Sequence, residues 1–403
     1  MIHSKELLWK VIRKDDFLIN KLRNGKRTQI QLRNTAQGLL KNILDLLVLS
    51  LPIKVWKETQ SYDRKRQKLL VLINKGNTKS SDWVHYDFFH FYKSFEIFLA
   101  DSRDSELLPP WLLDKCHGFF SSYKFLRLVT ARQPEIIIIS SWNPESRLLS
   151  SPSAKVLRRM RRSLGTECKI VVLGWDTVGT TFWYQHLSFD FIDEIIALEN
   201  PNMSDFLVGG LDNPNHITIE SLIPLPMNPS FVNYPIVSPR STDLFFFGQV
   251  GSYRDYRHPY LEALNLLDCK SIISANGSGT SSYSYSEMFE IMSRSKIGIN
   301  FSESVNGVSQ LKGRVWETML SGALLLEQEN SQILKFFEPN KHFVFFDSPD
   351  SLIEKVTYFL ANKEERLMIA KNGQERARQL QKENSLFRKL TSLQALKGET
   401  SLD

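Results

Sequence analysis

Arg314 and Glu317 stand three residues apart in the segment Lys312-Gly313-Arg314-Val315-Trp316-Glu317. On a helix that spacing puts both side chains on one face. The segment follows a short apolar run at 297–301 and a polar loop, and a glycine at 322 closes it before a second apolar run at 323–326. The pattern is strand, helix, strand. A helix N-terminus presents unpaired N–H groups and partial positive charge, which suit a diphosphate. Lys312 adds a cation at the mouth, and Arg314 adds a planar fork for phosphate oxygens. Glu317 can accept hydrogen bonds from paired ribose hydroxyls. A cation for phosphate and an anion for sugar are what a nucleotide-sugar site needs. The plainer alternative is a solvated ion pair worth about 0.2–0.5 kcal/mol.

A second constellation lies upstream. The run Leu244 to Phe247 leads into Gly248-Gln249-Val250-Gly251, followed by Arg254, Arg257 and a helix signalled by Pro259. Glycines at such a turn let backbone approach a ligand closely, although a plain tight turn uses them too. Arg257, with Arg254 as runner-up, supplies a further cation. On the other half of the chain, Asp176 follows a buried apolar run in Gly174-Trp175-Asp176-Thr177. It is a candidate base toward an acceptor hydroxyl or a helix cap. His186 is a second base candidate, set among aromatics where a packed histidine is the commoner outcome. Trp142 and Trp175 offer stacking faces for a sugar ring or bulk for a core.

These residues need strands to hold them. Apolar runs at 68–74, 96–100, 135–140, 169–173 and 194–198 read as strands, and 112–130 and 155–164 read as helices. Strands alternating with helices imply a parallel sheet with right-handed crossovers. Five prolines between 216 and 240 mark an interdomain linker. The low-complexity stretch 274–286 reads as a loop. The chain of 403 residues is therefore divided into a helical basic extension at 1–67, a Rossmann-like acceptor domain at 68–235, a Rossmann-like donor domain at 236–385 and a tail at 386–403. A helix over about 364–382 runs back toward the first domain.

Composition is that of an ordinary globular protein, with 42% hydrophobic and 24% charged residues. Three scattered cysteines form no disulfide framework and point to a reducing cytoplasm. No run is long and apolar enough to cross a membrane, and the first residues show no signal-peptide pattern. Residues 1–68 hold 16 Lys or Arg against 6 Asp or Glu, a net +10, so the remainder sums to −3 of the overall +7. Residues 1–56 therefore offer peripheral contact with an anionic membrane, or a helical extension packed on the protein itself. No nucleic-acid motif is present. There is no P-loop, no dinucleotide fingerprint and no zinc spacing.

The C-terminal 170 residues resemble glycosyltransferases of GT-B architecture, and within them the group-1 family that includes CgeB-like proteins. The resemblance rests on Arg314-Val315-Trp316-Glu317, Ser321-Gly322-Ala323-Leu324-Leu325-Leu326, Phe337-Glu338-Pro339 and Asp347-Ser348-Pro349. It implies an α/β fold of two Rossmann-like domains facing across a cleft (GT-B), with the helical basic extension added. It implies Glu317 on the ribose, and Gly248, Gly251, Arg257, Lys312 and Arg314 on the diphosphate. Relatives often carry a second acid eight residues before the glutamate. Ser309 stands there, and Glu303 is the nearest substitute. The chain has no Asp-x-Asp, the pair that holds a metal in the other main architecture, so a metal-free site with no cofactor is expected. The implied activity is transfer of a sugar from a nucleoside-diphosphate sugar to a glycan, lipid-linked or protein acceptor. The alternatives are a non-catalytic binding or assembly protein and a nucleotide-sugar hydrolase or epimerase.

Overall fold

The computed structural model describes residues 67–73, 91–112 except 93 and 101, 121–140, 152–164, 168–174, 185–197, 213–235 except 228, 237–276, 283, 285–303 and 309–393, with Leu39. The basic extension, the two tryptophans, Cys116 and Asp176 fall outside them.

Two compact units are present. The smaller contributes two described helices, α1 (Ser121–Arg132) and α2 (Ala154–Leu164), which pack on each other. On α2, Val156, Leu157 and Met160 are buried while Lys155 and Arg162 face outward. That is the helical period acting on a strongly basic sequence.

The larger unit holds two parallel sheets. The first contains β1 (Gln67–Ile73), β2 (Ser105–Leu107), β3 (Trp111–Leu112), β4 (Ile136–Ser140), β5 (Lys169–Gly174), β6 (Glu194–Ala197) and β7 (Thr218–Ser221). Its order is β2-β1-β4-β5-β6-β7, with β3 also on β1. Leu69 aligns with Ile136, and Ile137 with Ile170. Leu69 to Leu72 and Ile136 to Ile139 are all fully buried. Strands covered on both faces read as continuous apolar runs, which is why these were identifiable.

Two expectations change here. Residues 94–99 are helical, not a strand. Phe91, Phe95 and Leu99 are buried while Glu96 and Ile97 are exposed, a period of four that a short apolar run conceals. The proline-rich run 216–240 is not all linker. Its start forms β7, paired to β6. After a short helix α3 (Pro229–Val232), the chain enters the second sheet.

That sheet comprises β8 (Thr242–Gln249), β9 (Ser271–Asn276), β10 (Ser295–Asn300), β11 (Leu324–Gln328) and β12 (Val344–Phe346), in the order β12-β11-β10-β8-β9. The connecting helices are α4 (His258–Asn265), α5 (Tyr285–Ser293) and α6 (Gly313–Leu320). Then come α7 (Pro349–Ala361), α8 (Lys363–Glu383) and α9 (Ser385–Ser392). Alternation along β8 divides the core. Leu244 and Phe246 meet α4 and α7, whereas Phe245 and Phe247 meet α5, α6 and α8. Helices on both faces make this a doubly wound sheet. Gly322 ends α6 at φ +75°, a value that favours glycine.

Residues 386–393, expected to be a tail, instead carry α9. Leu386, Phe387 and Leu390 are buried with Leu69, Ile136 and Ile138 of the first sheet. Phe387 stacks on Phe95 with centroids 4.9 Å apart. Lys389 pairs with Glu194 at 3.1 Å and Glu220 at 2.7 Å. An amphipathic segment of eight residues forms a helix when its apolar face finds a core. Upstream, α8 is stitched to the segment before β8. Gln381 accepts from the Met227 amide at 2.8 Å and donates to the Leu225 carbonyl at 2.7 Å.

Candidate functional site

In a doubly wound sheet of order 2-1-3-4-5, ligands bind outside the carboxyl ends of the strands where the winding reverses. In the second sheet that point lies between β8 and β10. The residues there are Gly248 to Gly251 from β8 and Asn300 to Glu303 from β10.

Arg257 closes this point from below. Its guanidinium donates to the Gln249 carbonyl at 2.8 Å, the Phe301 carbonyl at 3.2 Å and the Tyr256 hydroxyl at 3.2 Å. Only 4% of the residue is exposed. It is a strut between two strand ends. Gly248 is not in the loop. It belongs to β8, and a Cβ there would lie 2.5 Å from Cζ of Phe246. Gly251 does sit at the turn, with φ +94°, and precedes a 3-10 turn over Ser252–Arg257.

Glu303 and Ser309 form an antiparallel bridge. The pairing sets Glu303 directly beside the position where the resemblance called for an acid. The Glu303 carbonyl accepts from Tyr256 Oη at 2.9 Å and Lys312 Nζ at 3.3 Å. Lys312 is half-buried and caps the start of α6 with extended backbone.

Arg314 and Glu317 meet at 2.5 Å with side chains 7% and 3% exposed. The expected alternative, a solvated surface pair, is therefore not what the structure shows. A Cβ on Gly313 would lie 3.3 Å from Leu225 Cδ2 and 3.8 Å from Glu317 Oε1, so a leucine from the β7–β8 segment crosses the helix mouth. The Arg314 guanidinium also lies 5.8 Å from the Phe247 ring, which connects the pair to the end of β8.

One buried, bonded side chain of this region is one the sequence did not single out. Glu327, at the end of β11, is fully buried. Asn300 Nδ2 donates to its Oε2 at 2.8 Å, and Ser302 Oγ donates to its Oε1. Asn330 Nδ2 then bridges Ser302 Oγ and the Gln310 carbonyl, each at 3.0 Å. Burial pushes the Glu327 carboxyl up to about 7, against the hydrogen bonds and the Lys312 charge, which favour the anion. A carboxylate directly after Leu324-Leu325-Leu326 reads as a solvated strand end. Its bonded partners, Asn300 and Ser302, come from the end of β10, so nothing local signals burial.

The remaining candidates are apart from this centre. His186 is 2% exposed, in a turn that leads into the amino end of β6. Asn215, which precedes the amino end of β7, donates to the Leu187 carbonyl at 2.7 Å. That is the edge opposite the carboxyl ends of the strands. Among the described residues, no group of three His, Cys, Asp or Glu is placed to hold a metal, and no helix is long and apolar enough to cross a membrane.

Comparison with known proteins now bears on this arrangement. Residues 258–385 match the family described as glycosyl transferase-like. No curated protein matches the chain. Among solved structures, a sucrose-phosphate synthase from Thermosynechococcus elongatus superposes with a TM-score of 0.54 at 11% identity, covering 81% of this chain and 100% of that one. A glycosyltransferase from Rickettsia africae gives 0.51 at 11% identity, covering 81% and 99%. Anabaena HepE in complex with UDP-glucose gives 0.50 at 11% identity, covering 82% and 100%. At such identities the likeness is one of fold. Residues 258–385 are thus similar to the glycosyl transferase-like family, in a chain with the two-sheet GT-B fold.

Proposed function

We propose that the chain transfers a sugar from a nucleoside-diphosphate sugar to an acceptor hydroxyl, and that the CgeB-like subgroup is its nearest setting. The observation that carries this is the convergence of Gly251, Glu303, Lys312 and the start of α6 at the winding reversal of the second sheet. In the reaction the bond from the anomeric carbon to the diphosphate breaks, the acceptor oxygen bonds to that carbon, and the acceptor proton passes to a base. Charge develops on the departing diphosphate, and preorganised donors aimed at it are the largest catalytic term. Lys312 and the first amides of α6 supply them, with Arg314 behind. Glu317 and Glu303 accept from the ribose and the sugar. Asp176, two residues beyond β5 in the sequence, is the base candidate. Metal independence, a cytoplasmic setting and peripheral contact through residues 1–56 belong to the same proposal. They rest on the missing Asp-x-Asp, the cysteine spacing and the +10 charge of the first 68 residues.

Thermal melts with UDP, GDP, CDP and ADP test the donor site. One nucleotide at about a hundredfold over its Kd stabilises the fold by about 2.7 kcal/mol. Mass spectrometry of a nucleotide-sugar panel, with and without chelator, then tests turnover. Sugar transfer that survives chelation is the expected result, and transfer abolished by chelator overturns the metal-free part. The burial of Arg314 and Glu317 supports a second reading, a binding protein of this fold without turnover. A nucleotide shift with no transfer to any acceptor selects it. Free sugar released without acceptor selects a hydrolase.

A further inference from the structure

Glu327 has no place in the chemistry just described, yet its carboxyl is the hub of the network beneath the donor site. Through Ser302 it holds the outgoing end of β10, and through Ser302 and Asn330 it holds the Gln310 carbonyl. Gln332 extends the network, donating from Nε2 to the Ser309 carbonyl at 2.6 Å. Both ends of the segment 301–312 are thus anchored to one buried acid. Those ends carry Glu303 and Lys312, which the proposed reaction places on the sugar nucleotide.

We propose that Glu327 is a positioning residue for the donor site, and that it takes up a proton from solvent when a sugar nucleotide binds. This rests on the donor-site reading above. In the unliganded chain both carboxylate oxygens accept hydrogen bonds, from Asn300 and Ser302, an arrangement that suits the anion. Other charged groups on the surrounding segments include Arg254, Arg257, Glu303, Glu317, Glu329 and Asp347. Of these neighbouring charges, that of Lys312 favours the Glu327 anion. A diphosphate that engages Lys312 draws on that same positive charge. The buried anion is left with less compensation in a low-dielectric setting. Neutralisation by a proton then costs less than holding the charge, and burial already brings Glu327 close to neutral pH. The acid serves as a counter-charge for the lysine in the empty site and yields that role to the ligand.

Calorimetric titration of the full chain with UDP-glucose measures the proton directly, in buffers of differing ionisation enthalpy near pH 7. UDP-glucose is the right probe because its diphosphate diester carries no proton near neutrality. Wild type is expected to take up a fraction of a proton per ligand bound and Glu327→Gln none. Wild-type affinity is expected to fall roughly fivefold between about pH 6 and about pH 8, for a bound-state pKa one unit higher than the free one. That pH dependence disappears in Glu327→Gln. Ser302→Ala is the second variant, retained in case the glutamine chain does not fold. It removes a hydrogen bond that favours the anion, so the pH at which affinity falls moves upward. Binding without proton uptake, or equal uptake in Glu327→Gln, overturns the role of Glu327 alone. No binding of any sugar nucleotide by wild type overturns the donor-site reading and this role with it.

Discussion

The two sheets are wound in the same way and finished differently. Each is all-parallel, and each reverses its winding beside its first strand, at β1/β4 in one and β8/β10 in the other. The seven strands of the first sheet end in Ile73, Leu107, Leu112, Ser140, Gly174, Ala197 and Ser221. The five of the second end in Gln249, Asn276, Asn300, Gln328 and Phe346, with buried Glu327 beside Gln328. Aliphatic and small side chains finish the first scaffold, while amides and a carboxyl finish most of the second. The polar strand ends give the second sheet partners for the segments that follow them. In the second sheet, Arg257, Glu327, Asn330 and Gln332 tie the strand ends to the segments that would touch a ligand.

Substitutions can break this contrast. The largest effect is expected from Arg314→Ala. It leaves the buried Glu317 carboxylate without its partner and costs about 3–5 kcal/mol in denaturant unfolding. The double change Arg314→Met, Glu317→Leu restores most of that stability, because apolar residues of similar volume replace a buried pair well. Nucleotide binding stays lost in the double variant if the pair serves the ligand. Recovery of both stability and binding removes Arg314 and Glu317 from the site. Ile138→Ala, in the hydrocarbon of the first sheet, costs about 2–5 kcal/mol. Its nucleotide Kd is expected to match wild type at temperatures where it stays folded. A weakened Kd breaks the assignment of the donor to the second sheet.

A smaller effect comes from pH. The Glu327 carboxyl is raised in the folded chain, so its contribution to stability is complete below the unfolded pKa of about 4.5. That contribution is lost as pH rises toward about 7 and is level above it. Wild-type melting temperature should therefore fall over that window by the equivalent of about 2–3 kcal/mol relative to Glu327→Gln. Parallel curves for the two proteins would place the ionisation elsewhere. Lys312→Gln sharpens the contrast at the smallest cost. The residue is half-buried and its ammonium donates to the Glu303 carbonyl, so stability falls by about 1 kcal/mol, while nucleotide affinity drops about tenfold.

Much of this architecture was readable from residue order. Four consecutive isoleucines, or Leu-Phe-Phe-Phe before a glycine, have few destinations other than a strand covered on both faces. Residues 96–100 read as a strand because five residues cannot separate a period of two from one of four. The helix at 385–392 escaped because its burial depends on Phe91 and Phe95, nearly three hundred positions earlier. The Arg314–Glu317 spacing was visible, and its enclosure by Leu225 was not, since spacing says nothing about what crosses a helix mouth. Glu303 could be named from the sequence only as the nearest acid; the bridge to Ser309 gave it a place.

The lodging of Phe387, Lys389 and Leu390 in the first sheet has a consequence for biosynthesis. A ribosome makes most strands of that sheet before the second sheet, yet their apolar face stays unfinished until residues 385–393 have been added. The two halves then cannot mature in the order in which they are translated. A premature stop just after α8 would deliver a complete second sheet and strand the first one with its aromatic cluster bare to water.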